Sequence, residues 1–313
     1  MGDSRVRKVE KMGIAVLRQS ILPNLMSALP DRYKDPSISH IWMYWETLPG
    51  AHRPPYLDVC LETIKSHLDD ELFLHELDEE TVFEWLPDCP RLTWQRLGTP
   101  VRRSDYARVR LIERYGGTWI DADSILMMSL RTFIEPLAIH SVVFGEGFTL
   151  NMFAAQANAP LIRALRIAQD KVLASSEDWA TLPWAALGTS SLLGVLDQHD
   201  FYSFPQRRIV PVPWYEWRRF FSRLQSPAAI IESSPISVLL WNNAMGRILA
   251  HTTRAEILSD DILLSRLLRL ALGISTLSEE TKLSMRLSPL SDLRFTRAGR
   301  RMEEGLRSAL SRR

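Results

Sequence analysis

The stretch of sequence that decides the fold is residues 104–127, SDYARVRLIERYGGTWIDADSILM. Ser104 is a good helix N-cap, and we expect the helix that starts there to end at Gly116, which can adopt the left-handed conformation of the C′ position. Residues 117–120 then read as a short strand with Asp121 at its carboxyl end. Ligands of open α/β sheets gather at that edge, so the stretch predicts a binding site together with the fold.

The sequence upstream alternates between strand and helix patterns. Residues 37–45 read as a buried strand, 56–67 as an amphipathic helix and 72–77 as a second strand, and Asp78 can cap a short helix that ends at Trp85. An alternation of this kind predicts a parallel α/β sheet.

Two aspartates lie two positions apart in the sequence Asp121-Ala122-Asp123. Residues two apart in extended backbone face the same side, so both carboxylates would point to one place. Hard oxygen ligands at this spacing suit Mn²⁺ or Mg²⁺, which completes its coordination shell with water and phosphate oxygens. We therefore predict a divalent metal site that would stabilise the charge on a departing diphosphate.

Asp105 and Arg108 lie three residues apart at the expected start of the preceding helix and so share one helix face. Helix N-termini favour anions, and an Asp–Arg pair can also hold sugar hydroxyls by hydrogen bonds.

The composition excludes several other classes of protein. The 313 residues carry 38 basic and 37 acidic side chains, so the net charge of +1 gives no general attraction to nucleic acid. Two cysteines suit a reducing compartment, and no apolar run approaches the roughly 18 to 20 residues that span a bilayer. We expect a soluble cytoplasmic chain. Its arginine-rich tail from Arg294 is either a solvated helix face or a contact with the anionic inner face of a membrane.

The composite pattern is more specific than the two aspartates alone. It reads S-D-x-x-R, seven residues, then G-G-x-aromatic-apolar-D-x-D, and residues 41–46 (IWMYWE), 54–57 (PPYL) and 60–67 (CLETIKSH) form a second block. Together these blocks resemble the DXD-containing glycosyltransferases of the capsular polysaccharide synthesis protein type, which are similar to glycosyltransferase family 32. Their wider kin include fungal initiating mannosyltransferases and the glucosyltransferase domains of clostridial toxins.

The resemblance implies a GT-A-like α/β fold, in which a single Rossmann-type mixed sheet is flanked by helices and followed by a helical C-terminal extension. The division it implies is a helical segment at 1–36, a nucleotide-sugar transferase domain at 37–250 and a basic helical extension at 251–313. The expected reaction is metal-dependent transfer of a hexose from a UDP- or GDP-linked donor to a hydroxyl acceptor, with retention, in the synthesis of a surface polysaccharide or another glycan.

The resemblance also implies roles for individual residues around the donor. Trp42 would stack on the nucleotide base, and Trp119 would supply an aromatic wall. Asp105 and Arg108 would grip the donor sugar. Asp121 would contact the ribose or the sugar and also metal-bound water.

The metal shell is only partly specified by this resemblance. Asp123 matches the metal-contacting aspartate, with Asp121 beside it. For the third protein ligand, Asn242 is the preferred candidate, and Asn243 and His251 are the alternatives.

Two other functions compete with a sugar transferase. In a haloacid-dehalogenase-like phosphatase Asp121 would be the nucleophile, and Asp260 and Asp261 would form the later acidic pair. That nucleophile usually follows the first strand of its domain, whereas two strand–helix units precede Asp121 here. The other alternative is an inactive sugar-binding protein on the same fold.

Overall fold

A six-stranded mixed sheet organises the chain, in the order β2-β1-β3-β6-β5-β7. The computed structural model describes residues 39–47, 50–147 and 149–280. The segment expected at 1–36 and the arginine-rich tail therefore lie outside the described residues. The strands are β1 (His40–Tyr44), β2 (Phe73–Leu77), β3 (Gly117–Ile120), β4 (Ser124–Leu126), β5 (Val142–Gly145), β6 (Met152–Ala155), β7 (Tyr202–Phe204) and β8 (Ser237–Leu239).

The α-helices fall between these strands and after the last of them. They are α1 (Pro55–Ser66), α2 (Val82–Trp85), α3 (Arg91–Leu97), α4 (Pro100–Tyr115), α5 (Arg131–Ile134), α6 (Pro160–Ala174), α7 (Thr189–Leu193), α8 (Gln206–Ile209), α9 (Ala228–Ile231), α10 (Asn242–Leu249), α11 (Arg254–Ser259) and α12 (Leu263–Ala271). Short 3-10 helices cover Glu135–Ala138, Trp179–Thr181, Leu196–Gln198 and Trp214–Phe221.

The strand directions confirm the predicted α/β class and the mixed sheet. Strands β2, β1 and β3 run parallel to one another, as the alternation of the first ninety residues predicts. Strand β6 runs antiparallel to both β3 and β5, and β7 runs parallel to β5. Strands β4 and β8 form a separate antiparallel ladder.

Alternate residues of β1 face two different hydrophobic layers. Ile41 and Met43 pack in the layer that contains α1 and α12, while Trp42 and Tyr44 pack in the layer that contains α4 and α6. The sheet is thus covered on both faces, because successive side chains of a strand point to opposite faces and both sets are apolar here.

Helix α4 begins earlier than the sequence analysis expects. Its N-cap is Thr99, whose hydroxyl accepts a hydrogen bond from the backbone N–H of Arg102 at 3.4 Å, and Pro100 occupies the first helical turn. The prediction of Ser104 as the N-cap is therefore wrong, because Thr followed by Pro combines a capping side chain with the residue best suited to the first helical position. Asp105 consequently lies inside the helix instead of at its N-terminus.

The Gly116-Gly117 turn joins α4 directly to β3. Both residues have positive φ, at 70° and 96°. A Cβ atom on Gly117 would lie 2.2 Å from the carbonyl oxygen of His40. Glycine at this position therefore lets β3 start beside β1 immediately after the helix ends.

The last helices share the core of the sheet. Helices α11 and α12 contact α1, and Leu263, Leu264, Leu267 and Leu268 of α12 lie in the same hydrophobic layer as Ile41. Among the described residues, no helix has both the length and the apolar composition that a membrane span needs.

Replacing Gly117 by Ala should destabilise the fold by at least about 2 kcal/mol, since it combines a strained φ with a backbone clash. Urea unfolding measures the loss. The matched control is Gly194→Ala, where φ is −68° and the nearest atom to a new Cβ lies at 3.6 Å. Equal stability of the two variants would contradict the close approach of β3 to β1.

Candidate active site

The Arg108 guanidinium joins two of the predicted acidic residues. Its Nη2 lies 3.2 Å from Asp105 Oδ1 and 3.4 Å from Asp121 Oδ1. The same side chain donates to the carbonyl oxygen of Leu150 at 2.5 Å and to Ser104 Oγ at 2.8 Å. Arg108 is only 6% exposed, so these contacts fix a buried cation between two carboxylates that come from different elements.

Trp119 positions Asp121 from the strand that precedes it. The indole Nε1 donates to Asp121 Oδ1 at 2.7 Å, and the Arg108 guanidinium carbon lies 5.0 Å from the ring centroid. Trp119, which the sequence analysis predicts to supply an aromatic wall, is fully buried. Its edge holds the carboxylate.

The β4–β8 ladder brings the late part of the chain to Asp123. Ser124 pairs with Leu239, and the residues after Leu239 then run beside the aspartate. The backbone N–H of Leu240 donates to the carbonyl oxygen of Asp123 at 2.9 Å, and that of Asn242 donates to its Oδ2 at 2.7 Å. The structure therefore places Asn242, the candidate third metal ligand, in direct contact with Asp123.

Tyr56 fixes the side chain of Asn242 through a contact that the sequence analysis does not predict. Its hydroxyl donates to Asn242 Oδ1. Burial and the negative charge of Asp123 raise the pKa of Tyr56 well above its ordinary value, so the hydroxyl keeps its proton and remains the donor. Tyr56 lies in the first turn of α1, and only the tertiary structure brings that turn to a residue 186 positions away.

Trp241, the residue before Asn242, has an unusual backbone conformation. Its φ of 55° and ψ of 62° lie in the left-handed region, which costs of order 1 kcal/mol or more for a bulky residue. Its indole Nε1 donates to the carbonyl oxygen of Val212 at 2.8 Å, which anchors the side chain. The strained turn directs the N–H of Asn242 at the Asp123 carboxylate.

The carboxylates of the cluster resist ionisation. Burial raises the pKa of Asp105 to about 6, against the opposing effect of Arg108. Burial and then the charge of Asp121 raise the pKa of Asp123 to about 7, and burial also raises that of Asp121. A cation bound beside Asp121 and Asp123 would offset these effects.

The donor set fits Mn²⁺ or Mg²⁺. Asp121, Asp123 and Asn242 offer oxygen atoms, which hard divalent cations prefer. Within residues 39–47, 50–147 and 149–280, no group of three or more His, Cys, Asp or Glu side chains could hold a metal. The cation would therefore depend on phosphate or water oxygens to complete its shell.

Trp42 does not lie where the sequence analysis predicts. It is fully buried, its Nε1 donates to the carbonyl oxygen of Gly116 at 2.8 Å, and its ring stacks on His75 and meets the edge of Trp85. No face of the ring is open to a nucleotide base. The physical reason is that side chains alternate between the two faces along β1, so Trp42 points into the hydrophobic layer that contains α4 and α6.

A second tryptophan of the same motif, Trp45, follows the end of β1. It is half-buried, and its Nε1 has no hydrogen-bond partner. Trp45 borders a cavity of about 350 Å³ beyond the carboxyl ends of β1 and β2, which is also lined by Met43, Thr47, Arg53, Glu76, Leu77, Asp78 and Glu79.

Asn151 is another residue of the site that the sequence analysis does not assign. Its carbonyl oxygen accepts from the N–H of Asp121 at 2.8 Å, and its Oδ1 accepts from Thr149 at 2.5 Å. Its buried Nδ2 has no partner. An unsatisfied buried donor next to Asp121 is available to a ligand.

Comparisons with known proteins agree with the motif. A family described as "Capsular polysaccharide synthesis protein" matches residues 11–141. Lactosylceramide 4-alpha-galactosyltransferase of Mus musculus is 24% identical over 201 residues, and that of Rattus norvegicus is 26% identical over 201 residues. The chain is therefore similar in sequence to these glycosyltransferases. The alignments cover 59% of this chain and 53% and 52% of the two proteins, so the chain spans about half the length of the curated relatives it matches.

Two solved structures of glycosyltransferases also overlap with this chain. "PaToxG Glycosyltransferase" is 15% identical, with a TM-score of 0.37 over 88% of this chain and 98% of that chain. The apo-form glycosyltransferase GlyE of Streptococcus pneumoniae TIGR4 is 11% identical, with a TM-score of 0.43 over 78% of this chain and 62% of that chain. With TM-scores this low, the superpositions do not identify which residues of this chain correspond to site residues of those enzymes.

The phosphatase alternative is not favoured. Asp260 pairs with Arg223 at 3.1 Å and accepts the backbone N–H of Asp261, while Asp121 is held by Arg108 and Trp119. The comparisons lead to sugar transferases and not to phosphatases.

Replacing Arg108 by Met should destabilise the metal-free chain by about 3 to 5 kcal/mol at pH 8, because it leaves the buried Asp105 and the partly buried Asp121 without their cation. Urea unfolding tests this, and the loss should be smaller at pH 5, where both carboxyls can bind protons. Arg114→Met is the control: its partner Asp88 is 84% exposed, and a change of at most about 1 kcal/mol is expected. Similar losses in both variants would show that Arg108 does not act as the buried counter-charge.

The pH dependence of stability should report Asp123. A carboxyl whose pKa is higher in the folded chain binds more protons when folded, so its contribution is present at low pH and lost as the pH rises through the folded value. The melting temperature of the metal-free chain should therefore decrease as the pH rises from 3.8, the ordinary pKa of an aspartate, to about 7, the pKa of Asp123 in the folded chain. Asp123→Asn should make this fall shallower, and the exposed-site control Asp197→Asn should not. An unchanged slope in Asp123→Asn would contradict the elevated pKa.

Proposed function

We propose that the chain is a metal-dependent hexosyltransferase, which moves a hexose from a UDP- or GDP-linked donor to a hydroxyl group of a glycan acceptor with retention of configuration. The observation that carries the proposal is the cluster in which Arg108 joins Asp105 to Asp121 while Asp123 contacts Asn242. The family match over residues 11–141 supports the same reaction class.

The metal would be Mn²⁺ or Mg²⁺, held by Asp121 and Asp123 with Asn242 beside them. When bound, the cation supplies charge neutralisation for the departing diphosphate. The chain's own contribution is to keep both carboxylates in place: Arg108 and Trp119 orient Asp121, and the N–H of Asn242 orients Asp123. Preorganised groups of this kind need no rearrangement as charge develops.

The donor sugar would lie between the acidic cluster and Asn151. Asp105 accepts hydroxyl hydrogen bonds through oxygens that Arg108 does not fully occupy, and the free Nδ2 of Asn151 donates to a sugar oxygen. Gly188 closes the far side of Asp105, since a Cβ there would lie 3.1 Å from its Oδ2.

The nucleoside would occupy the cavity beyond β1 and β2. Its position at the carboxyl ends of parallel strands suits a nucleotide. Trp45, not Trp42, would contact the base, because it is the tryptophan of the motif that borders this cavity. The half-buried carboxylates of Asp78 and Glu79 line this cavity and would accept hydrogen bonds from ribose hydroxyls.

The proposal extends to the biological setting. The acceptor would belong to a surface polysaccharide or another glycan, and the chain would work in the cytoplasm at the inner face of a membrane. The support is the family description and the arginine-rich sequence of residues 294–313.

Thermal shift with Mn²⁺ and a set of donors tests the proposal. UDP-galactose, UDP-glucose, UDP-N-acetylglucosamine and GDP-mannose are the probes, and slow hydrolysis of the stabilising donor is the second readout. A donor at a hundred times its Kd adds about 2.7 kcal/mol, which raises the melting temperature by about 5 °C. Failure of all four donors both to stabilise the chain and to be hydrolysed would refute the proposed reaction.

Asp123→Asn separates the site from the fold in the same experiment. The amide oxygen can still accept the N–H of Asn242, but the charge that would bind the cation is gone. We expect the Mn²⁺-dependent part of the stabilisation to disappear, while Asp197→Asn keeps it. Full Mn²⁺-dependent stabilisation of Asp123→Asn would remove this residue from the metal site.

A further inference from the structure

Two neighbouring aromatic side chains, Trp214 and Tyr215, are left exposed on the surface. They are 67% and 65% exposed, and their ring centroids lie 6.1 Å apart in an edge-to-face arrangement. We call them the aromatic pair. At the other end of the same 3-10 helix, Phe220 and Phe221 are buried. Single exposed apolar residues are ordinary, but two adjacent large rings on one short helix indicate a contact surface.

A short series of contacts links the segment of the aromatic pair to the metal end of the candidate active site. Val212, two residues before Trp214, accepts the indole N–H of Trp241 at 2.8 Å through its carbonyl oxygen. Trp241 directly precedes Asn242, which donates to Asp123 at 2.7 Å. Two residues of chain span at most about 7 Å, so the pair begins within about 7 Å of the residue that anchors the Trp241 side chain.

The segment that carries the aromatic pair is firmly held. Val212 is fully buried, and the ring of Trp217 meets that of Phe221 at 5.9 Å. Arg219 pairs with Glu216 at 2.7 Å and donates to Gln225 at 2.9 Å. Because this segment is rigid, the aromatic pair loses little conformational entropy when it binds a ligand.

We propose that the aromatic pair binds the sugar rings of the glycan acceptor, so that the acceptor hydroxyl reaches the donor beside Asp123. The inference rests on the proposed function and assigns the acceptor side of the same site. Flat aromatic rings stack on the C–H faces of pyranose rings, while the Tyr215 hydroxyl and the Trp214 N–H offer hydrogen bonds to sugar hydroxyls.

A carbohydrate fits this surface better than a lipid bilayer does. The exposed apolar area of this helix is restricted to two rings, whereas a helix that lies on a bilayer buries a continuous apolar face. Binding to a membrane through these rings is therefore the competing outcome of the test.

The test measures direct sugar binding by the full chain. Saturation-transfer NMR and tryptophan fluorescence are recorded with lactose, maltotriose, cellotriose and N,N′,N″-triacetylchitotriose. We expect at least one of these sugars to bind, and Trp214→Ala/Tyr215→Ala to weaken that binding at least tenfold. Trp214→Phe, which keeps an aromatic face, should recover part of the loss.

Phe73→Ala is the matched control. Phe73 is 58% exposed, but it starts β2 and pairs with His40, at the opposite end of the strands from Asp121. Its variant should bind the sugar as the unmodified chain does. All variants should keep the same melting temperature and the same stabilisation by donor and Mn²⁺, since neither ring of the pair contacts the acidic cluster.

Two results would overturn the inference. One is that the double variant binds sugar as well as the unmodified chain, or that no sugar of the set binds to the unmodified chain. The other is that the double variant loses only its binding to phosphatidylglycerol vesicles. Donor stabilisation is read separately, so loss of the proposed function and loss of the acceptor site give different patterns.

Discussion

The site depends on one buried cation, the guanidinium of Arg108. It lies between Asp105, on the same helix, and Asp121, at the end of the next strand, and it is 6% exposed. Without this cation, Asp105 would be a buried carboxylate with no counter-charge, and the partly buried Asp121 would lose its positive neighbour. The Gly116-Gly117 turn makes the contact possible, because it places the start of β3 directly after α4. Helix, turn and strand thus act as one unit that sets the distance between two acidic groups.

The other half of the site comes from the far end of the chain. The β4–β8 ladder carries Asn242 to Asp123 across 119 positions of sequence, and Tyr56 of α1 holds the amide in place. The carboxylates of Asp121 and Asp123 ionise reluctantly while they are buried together. In the proposed reaction, a divalent cation would supply the positive charge that the two carboxylates lack, and a diphosphate would supply further oxygen ligands to that cation.

Local sequence signals predict the elements around the site well and their contacts poorly. Strand β3 is predicted at its observed bounds, because two glycines and a short apolar run leave few alternatives. The predicted start of α4 is wrong because Thr99 and Ser104 both resemble N-caps, and only the proline after Thr99 distinguishes them. Trp42 and Trp45 belong to one motif but have different surroundings. Trp42 is buried because it lies within β1 and points into a hydrophobic layer, whereas Trp45 borders the cavity because it follows the end of the strand. The roles of Tyr56 and Asn151 depend on tertiary contacts that no local pattern carries.

The central claim is that the Arg108 cluster binds a divalent cation together with a nucleoside diphosphate. Electron paramagnetic resonance of Mn²⁺ during titration into the full chain measures this directly, with and without UDP or GDP. Because the chain offers only two carboxylates and an amide, the account predicts weak Mn²⁺ binding alone and at least tenfold tighter binding, one ion per chain, with one of the two nucleotides. Equal Mn²⁺ affinity with and without either nucleotide, or no bound Mn²⁺ in any condition, would contradict it.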